Sequence, residues 1–512
     1  MSPNTASERK ASDQHFRTDH LIAGIGERTV RGGLVMMSAH GLKFTLSIVA
    51  TAIMARLLEP QDYGLIGMVG VALNFVSLFK DMGLNFATIQ RAEINFQQIS
   101  TLFWINVSMS LLITMLTVAI APIIAWFYGE PRLTMIAVVL AAGFIFGGLA
   151  VQHEALLRRQ MRFFALSTIA LASMIAGYTV GITLALSGFH YWALVYSQLA
   201  LLAANMLGVL LVCRWRPGRP RLDLGMRSML SFGGNITGYA LINYFSKNSD
   251  NLLIGKFWGP QQLGFYNKAL QLAGLPTDQV DEPLASVAIP ALSRLGDSEV
   301  RYRQAYLRML EKVMLLTTSV IAWMVVSSDW LVQVMLGKQW SLTGRILVFV
   351  GLAALFQPVI NTVGWLFISQ NRSRDMLRWA TINAPISMLS ILAGLPWGGI
   401  GVAASYCLTR ILVVTPLAFW LVGRTGPVNT SDLCKRTAPF VLSSIMAILV
   451  CLAFRRFIHV GSPIVGLTTA VVLTSVTTLV VLLLIPAGRS ALTDVTRTWG
   501  ILRSKRLSTV SE

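Results

Sequence analysis

A lysine or arginine in the middle of an otherwise apolar run is expensive to place in a membrane, at about 2.5–3.5 kcal/mol per charge on insertion scales. This sequence does so repeatedly. Lys43, Lys247, Lys268 and Arg410 each interrupt an apolar stretch. Fixed cations along a hydrated path through hydrocarbon suit one task well: they hold a multiply charged anion, such as a phosphate, during its transit. Lys43 and Arg410 have no acidic residue within a helical turn. Lys247 has Asp250 three residues on, a spacing at which the two can neutralise each other. Lys80 adjoins Asp81 and reads as a structural pair near a helix end. Arg56 and Arg345 fall near helix ends, where long side chains reach the interface.

Carboxylates gather in one segment. Asp278, Asp281 and Glu282 stand among Pro276, Pro283 and Pro290, prolines that recur every seven residues and so share one helix face. Each removes a backbone hydrogen bond, so this span is expected to be bent or broken. The acids have two readings: a helix end dipping into cytoplasmic water, or, with Asp250, a set that couples transport to protons or sodium. The six histidines and the cysteines Cys213, Cys407, Cys434 and Cys451 show no metal-ligand, disulfide or catalytic spacing. Neither a metal nor a cofactor is expected.

Such side chains act only if helices carry them to matched depths. Of 512 residues, 54% are apolar and 13% are charged, against about a quarter charged in an average soluble domain. Runs of about 20 apolar residues, enough to cross a hydrocarbon core, begin near residues 32, 62, 100, 133, 164, 190, 228, 262, 306, 342, 376, 398, 438 and 463. Fourteen spans are expected, the seventh and eighth being the most polar. Residues 1–28 lack the apolar centre of a cleavable signal.

The net charge of +19 suggests nucleic acid, but the placement of the charge argues otherwise. Basic residues fill alternate loops: Arg158, Arg159 and Arg162, then Arg214, Arg216, Arg219 and Arg221, then Arg372, Arg374 and Arg378. The opposite loops hold only Arg132, Lys256, Lys338, Arg455 and Arg456. Short cytoplasmic loops retain positive charge, so both termini are expected in the cytoplasm of a multi-pass inner-membrane protein. Attraction to anionic membrane lipids accounts for the remaining basicity, and no nucleic-acid partner is expected.

The chain also repeats itself. Arg56, Pro60 and Gly64 recur two hundred positions later as Lys256, Pro260 and Gly264, and Asp81 and Leu84 as Asp281 and Leu284. A Gly-Gly pair precedes each copy, Gly32-Gly33 and Gly233-Gly234. Duplicated halves in a membrane protein point towards alternating access. The expected division is a cytoplasmic segment at 1–28, a six-helix lobe at 29–213 and a basic linker at 214–224. A second six-helix lobe follows at 225–423, then two extra helices within 424–488 and a basic tail at 489–512. Six spans return the chain to its starting side, so the lobes share one orientation.

The run Ala55-Arg56-Leu57-Leu58-Glu59-Pro60-Gln61-Asp62-Tyr63-Gly64, with Asp81-Met82-Gly83-Leu84 after it, resembles the first hairpin of the polysaccharide transporter family. Asn267-Lys268-Ala269 after Gly264-Phe265-Tyr266 is similar to that family's second-lobe signature. The closest likeness is to its colanic-acid and exopolysaccharide branch, flippases for O-antigen and exopolysaccharide repeat units. The resemblance implies an all-α integral membrane fold like that of multidrug-and-toxin extruders. It also implies a substrate, an oligosaccharide on a polyprenyl pyrophosphate moved from the inner to the outer leaflet, with polysaccharide polymerase and export machinery as partners. The alternatives are a cation-coupled drug antiporter and a peptidoglycan lipid-precursor flippase. A drug antiporter calls for an acid-dominated cavity, whereas these mid-membrane charges lean positive. A membrane polymerase or glycosyltransferase calls for a large periplasmic loop or a placed acid–base pair, and neither is present, so the chain is not expected to be an enzyme.

Overall fold

The computed structural model describes residues 25–78, 96–220, 226–458 and 460–494. Helices account for nearly all of these residues, and no strand occurs among them. Contacts divide the chain into two compact units, Met1–Gly264 and Phe265–Glu512.

The first unit contains α1 (Ile25–Leu57), α2 (Pro60–Ser77), α3 (Phe96–Tyr128), α4 (Arg132–Arg159), α5 (Phe163–Leu186) and α6 (Tyr191–Cys213). A long helix, α7 (Met226–Ser293), begins in this unit and ends in the second. The second unit continues with α8 (Glu299–Val326), α9 (Ser328–Met335), α10 (Ser341–Ala354), α11 (Gln357–Ser369) and α12 (Ser373–Gly394). It ends with α13 (Gly398–Thr409), α14 (Thr415–Arg424), α15 (Thr430–Phe457) and α16 (Pro463–Leu484). Every expected span start lies on or beside one of these helices. Nine helical stretches among the described residues are long and apolar enough to cross a bilayer, and a bent pair makes ten. One of the nine, Ser373–Arg424, has 52 residues, about 78 Å of helix and too long for a single crossing. A 3-10 turn at Leu395–Trp397 and Gly398, at φ +70°, divides it.

In both copies of the repeated turn the helix is interrupted just before the proline, by different means. α2 starts on Pro60, whose missing N–H costs nothing at a helix start, and a reciprocal Glu59–Asp62 capping box closes that end. In the second copy Gly259, at φ +77°, breaks α7 just before Pro260. The copies then pack on each other reciprocally within the first unit. A Cβ on Gly64 would lie 1.7 Å from the Pro260 carbonyl oxygen, and one on Gly264 would lie 1.8 Å from that of Pro60. Two backbones approach this closely only where both positions lack a side chain. The first arm of α7 is fixed by Tyr244, which donates to the Val71 carbonyl, and by Lys256, which donates to that of Phe127.

The prolines of α7 do not break it. Among its residues only Gly259 has non-helical backbone, and the chain stays helical through Pro276, Pro283 and Pro290. Span eight, expected to be bent or broken, is not broken at its prolines, and Gly259 lies ahead of it, in the turn that joins the seventh and eighth spans. A lost hydrogen bond per proline is tolerable where neighbouring groups re-satisfy the carbonyl, whereas φ near +77° cannot be part of a helix. The break that was not expected lies in the tenth span, where Lys338–Ala354 and Gln357–Ser369 meet at 41°.

In the second unit α8 is the central post. Tyr302, Tyr306, Leu310 and Met314 are buried with Val363 and Phe367 of α11 and Phe440 of α15. Arg436 of α15 pairs with the buried Glu311 at 2.6 Å, and Arg303 pairs with Asp432. Arg455 pairs with Asp329 and lies 4.0 Å over the Trp330 ring. Together these contacts anchor α15 to α8 and α9. Trp126 and Trp397 are exposed, whereas Trp340 is fully buried against Phe265.

Candidate functional site

Arg410 lies about halfway along the twelfth span, and the helix changes its winding there. Residues Arg410–Val414 form a π-turn, closed by the Thr415 hydroxyl donating to the Arg410 carbonyl at 2.8 Å. Such one-turn widenings concentrate at functional positions because they free backbone groups and turn side chains off the regular helix face. The guanidinium is buried, at 7% exposure. It donates to the Gln357 side-chain carbonyl and sits 5.9 Å over the Tyr406 ring. Gln357 in turn donates to Asn361 at 2.7 Å. No acidic side chain pairs with Arg410 among the described residues, and its Nε has no hydrogen-bond partner.

Gln357 is the first residue of α11, directly after the 41° break, and Pro358 follows it. Two helix irregularities thus meet at one polar contact, the broken tenth span and the π-turn of the twelfth. A buried cation is costly unless something compensates it. Here the compensation is neutral and partial: one amide oxygen and one aromatic face, with an N–H donor left unused. That arrangement is suited to accepting an anion, because no resident carboxylate has to be displaced first.

The other expected cations are distributed over the two units. Lys43 is half-buried on α1, with no acidic partner among the described residues. Lys268 is buried at 7% exposure on the second arm of α7, and its Nζ donates to Gln271 at 3.0 Å. Lys247 and Glu282 lie on α7, and their side chains fall outside the described residues, as do Lys80 and Asp81 altogether. Of the remaining carboxylates, Asp278 is exposed and Asp281 is half-buried. Asp250 accepts the Asn251 backbone N–H at 2.8 Å. No group of three potential metal ligands occurs among the described residues. All four cysteines are free, three of them buried and Cys434 exposed.

Sequence reading singled out Arg410 but not the neighbours the structure brings to it, Gln357, Asn361 and Tyr406. A usable signal was present: Gln357 and Asn361 are spaced to share a helix face beside a proline in an apolar run. Tyr406 and Arg410 are four apart on the opposing helix.

Comparison with known proteins places the chain in a family. A family model described as "Polysaccharide biosynthesis protein" matches residues 53–343. The chain is 26% identical over 381 residues to the teichuronic acid biosynthesis protein TuaB of Bacillus subtilis, covering 73% of this chain and 78% of that one. Among solved structures, the lipid II flippase MurJ in an inward closed conformation superposes with a TM-score of 0.71 at 14% identity, covering 87% of this chain and 98% of that one. An inward-facing multidrug resistance transporter of the MATE family gives 0.59 at 14% identity, covering 76% and 95%. The expected all-α membrane fold of the multidrug-and-toxin-extruder type is thereby established. With more than half of its length matched by one family model, this multi-pass membrane protein belongs to the polysaccharide biosynthesis protein family.

Proposed function

We propose that the protein is a flippase that carries polyprenyl-pyrophosphate-linked oligosaccharide repeat units from the inner to the outer leaflet of the cytoplasmic membrane. Its ion-lined path would open alternately to the two faces. The observation that carries this reading is the buried Arg410 guanidinium, held at mid-span by neutral groups with a donor to spare. A pyrophosphate is a compact dianion, and its passage through hydrocarbon is uphill unless fixed positive charge replaces its water. Lys43, Lys247 and Lys268 are the proposal's further candidate cations for the pyrophosphate. The amides of Gln357 and Asn361 and the Tyr406 ring suit sugar hydroxyls and ring faces adjoining the phosphates.

Membership of a polysaccharide biosynthesis family supports the substrate class, and the fold supports carriage rather than catalysis. The division into two six-helix lobes of one orientation with two added helices, and the placing of both termini in the cytoplasm, belong to the same proposal. Asp250, Asp278, Asp281 and Glu282 are its candidates for coupling to a proton or sodium gradient. A polymerase and export machinery would take the product at the outer face.

The test uses purified protein in liposomes containing a fluorescent polyprenyl-pyrophosphate oligosaccharide, with quenching from outside reporting leaflet exchange. Exchange above the protein-free rate, reduced in Lys43→Ala and Arg410→Ala variants that still purify folded, is the expected result. No exchange, with a cationic dye moving down an imposed proton gradient instead, would assign the protein to drug extrusion. Exchange unchanged when both ion gradients are collapsed would remove the coupling role of the carboxylates.

A further inference from the structure

The basic segment between α6 and α7 has the composition of a free linker, but its described part is fastened down. Trp215 is buried at 4% exposure, with its ring against Phe96, Phe103 and His153. The His153 ring sits 3.2 Å from the Trp215 carbonyl oxygen. The Gly218 N–H donates to Ser100 at 3.0 Å, and the Trp104 indole N–H donates to the Gly218 carbonyl at 2.9 Å. Residues 214–220 therefore form a fixed strap across the start of α3.

Two features meet under that strap. One is a groove of about 410 Å³, with Trp104, Ile105, Ser108, Met109 and Leu112 of α3 along its floor and Pro220 at its mouth. Its size falls within the range of small-molecule sites. The surrounding face of α3 exposes Leu111, Met115 and Leu116, so its solvent there is hydrocarbon. The other feature is charge. Arg214, Arg216 and Arg219 are all exposed, and none takes part in an ion pair among the described residues. Arg219 stands directly between Gly218, which Trp104 grips, and Pro220, which lines the groove mouth. A rigid array of unpaired guanidiniums at the membrane surface, opening onto an apolar channel along a spanning helix, matches a ligand with an anionic phosphate head and a hydrocarbon tail.

We propose that this is a binding site for an anionic phospholipid of the leaflet facing the basic loops. The phosphate lies on Arg216 and Arg219, and one acyl chain lies along Trp104, Ser108 and Leu112. Such a lipid would add to the packing that holds the strap on α3. The proposal does not depend on what the protein transports, because it is read by lipid retention alone.

The experiment is native mass spectrometry of the full chain, extracted from nanodiscs containing equal phosphatidylglycerol and phosphatidylcholine. The wild type should retain phosphatidylglycerol in preference to phosphatidylcholine. Arg216→Gln with Arg219→Gln should lower that preference about tenfold or more, as expected for two phosphate contacts at the membrane surface. Ser108→Trp, which fills the groove and leaves the charges, should also release the lipid. Arg301→Gln with Arg374→Gln, an equal loss of exposed charge elsewhere, should leave retention unchanged. Equal retention of the two lipids by the wild type overturns the proposal. So does undiminished retention by the Arg216/Arg219 double variant, whose exposed positions leave folding intact. Displacement of phosphatidylglycerol by an added polyprenyl pyrophosphate at equal concentration would reassign the site to the transported lipid.

Discussion

Arg410 combines three properties that seldom coincide: burial, a mid-span position and neutral partners. Its planar fork donates to Gln357 and leaves Nε unused, so charge and geometry contribute separately. Arg410→Lys retains the charge and loses the fork, whereas Arg410→Ala loses both. Leaflet exchange should fall about 10- to 100-fold in Arg410→Ala, the equivalent of a charged hydrogen-bonded contact of about 1.5–3 kcal/mol. Arg410→Lys should fall between that variant and the wild type. Equal rates in all three proteins would place the anion's path elsewhere. Gln357→Ala tests the neighbour: it should raise the substrate concentration needed for half-maximal exchange, with the protein still folded. Glu311 presents the contrasting case of a buried charge with a partner. Its carboxylate is buried in α8 and satisfied by Arg436. Arg436→Ala should destabilise the protein by about 1–3 kcal/mol, the cost of a buried polar group left unsatisfied, read as a lower Tm in detergent.

At the scale of elements, the irregular places matter most. The π-turn of the twelfth span and the 41° break of the tenth bring Arg410 and Gln357 together. The Gly259 break interrupts α7 just before Pro260, at the second copy of the repeated turn. The reciprocal approach of Gly64 to Pro260 and of Gly264 to Pro60 leaves no room for a methyl group. Gly64→Ala and Gly264→Ala should each cost about 1–3 kcal/mol, as over-packing of a tight contact does. Because the two positions share one contact, the double variant should cost less than the sum of the singles. Thermal unfolding of the three variants checks both statements, and full additivity would mean that the two contacts are independent.

The whole molecule is read through its charge pattern. Cys434 is the exposed member of the four cysteines and precedes Lys435 and Arg436, while Cys213, Cys407 and Cys451 are buried. If the basic loops face the cytoplasm, a membrane-impermeant maleimide should label the unmodified protein in inside-out vesicles and not in intact spheroplasts. The reverse pattern would invert the topology and, with it, the assigned direction of transport.

Local counting along the chain carried several of the expectations. Apolar run length gave the spans, because the thickness of a bilayer sets a length that each segment meets or misses alone. The alternation of arginines and lysines gave the expected orientation, because insertion acts on short loops one at a time. The register of Pro60 with Pro260 and Gly64 with Gly264 marked the duplication. It did not disclose that the two copies pack on each other, since proximity is a property of the folded chain. Proline spacing pointed to a bend or break in the eighth span, where the backbone stays helical because a missing N–H is repairable; the break of α7 falls in the Gly259 turn ahead of that span. The site itself needed the tertiary structure. Gln357 and Arg410 are 53 positions apart, and the strap reaches α3 across more than a hundred residues. A sequence can show that a charge lies within an apolar run. Only packing decides whether a carboxylate or a neutral amide meets it, and so whether it is already neutralised or available to hold a phosphate.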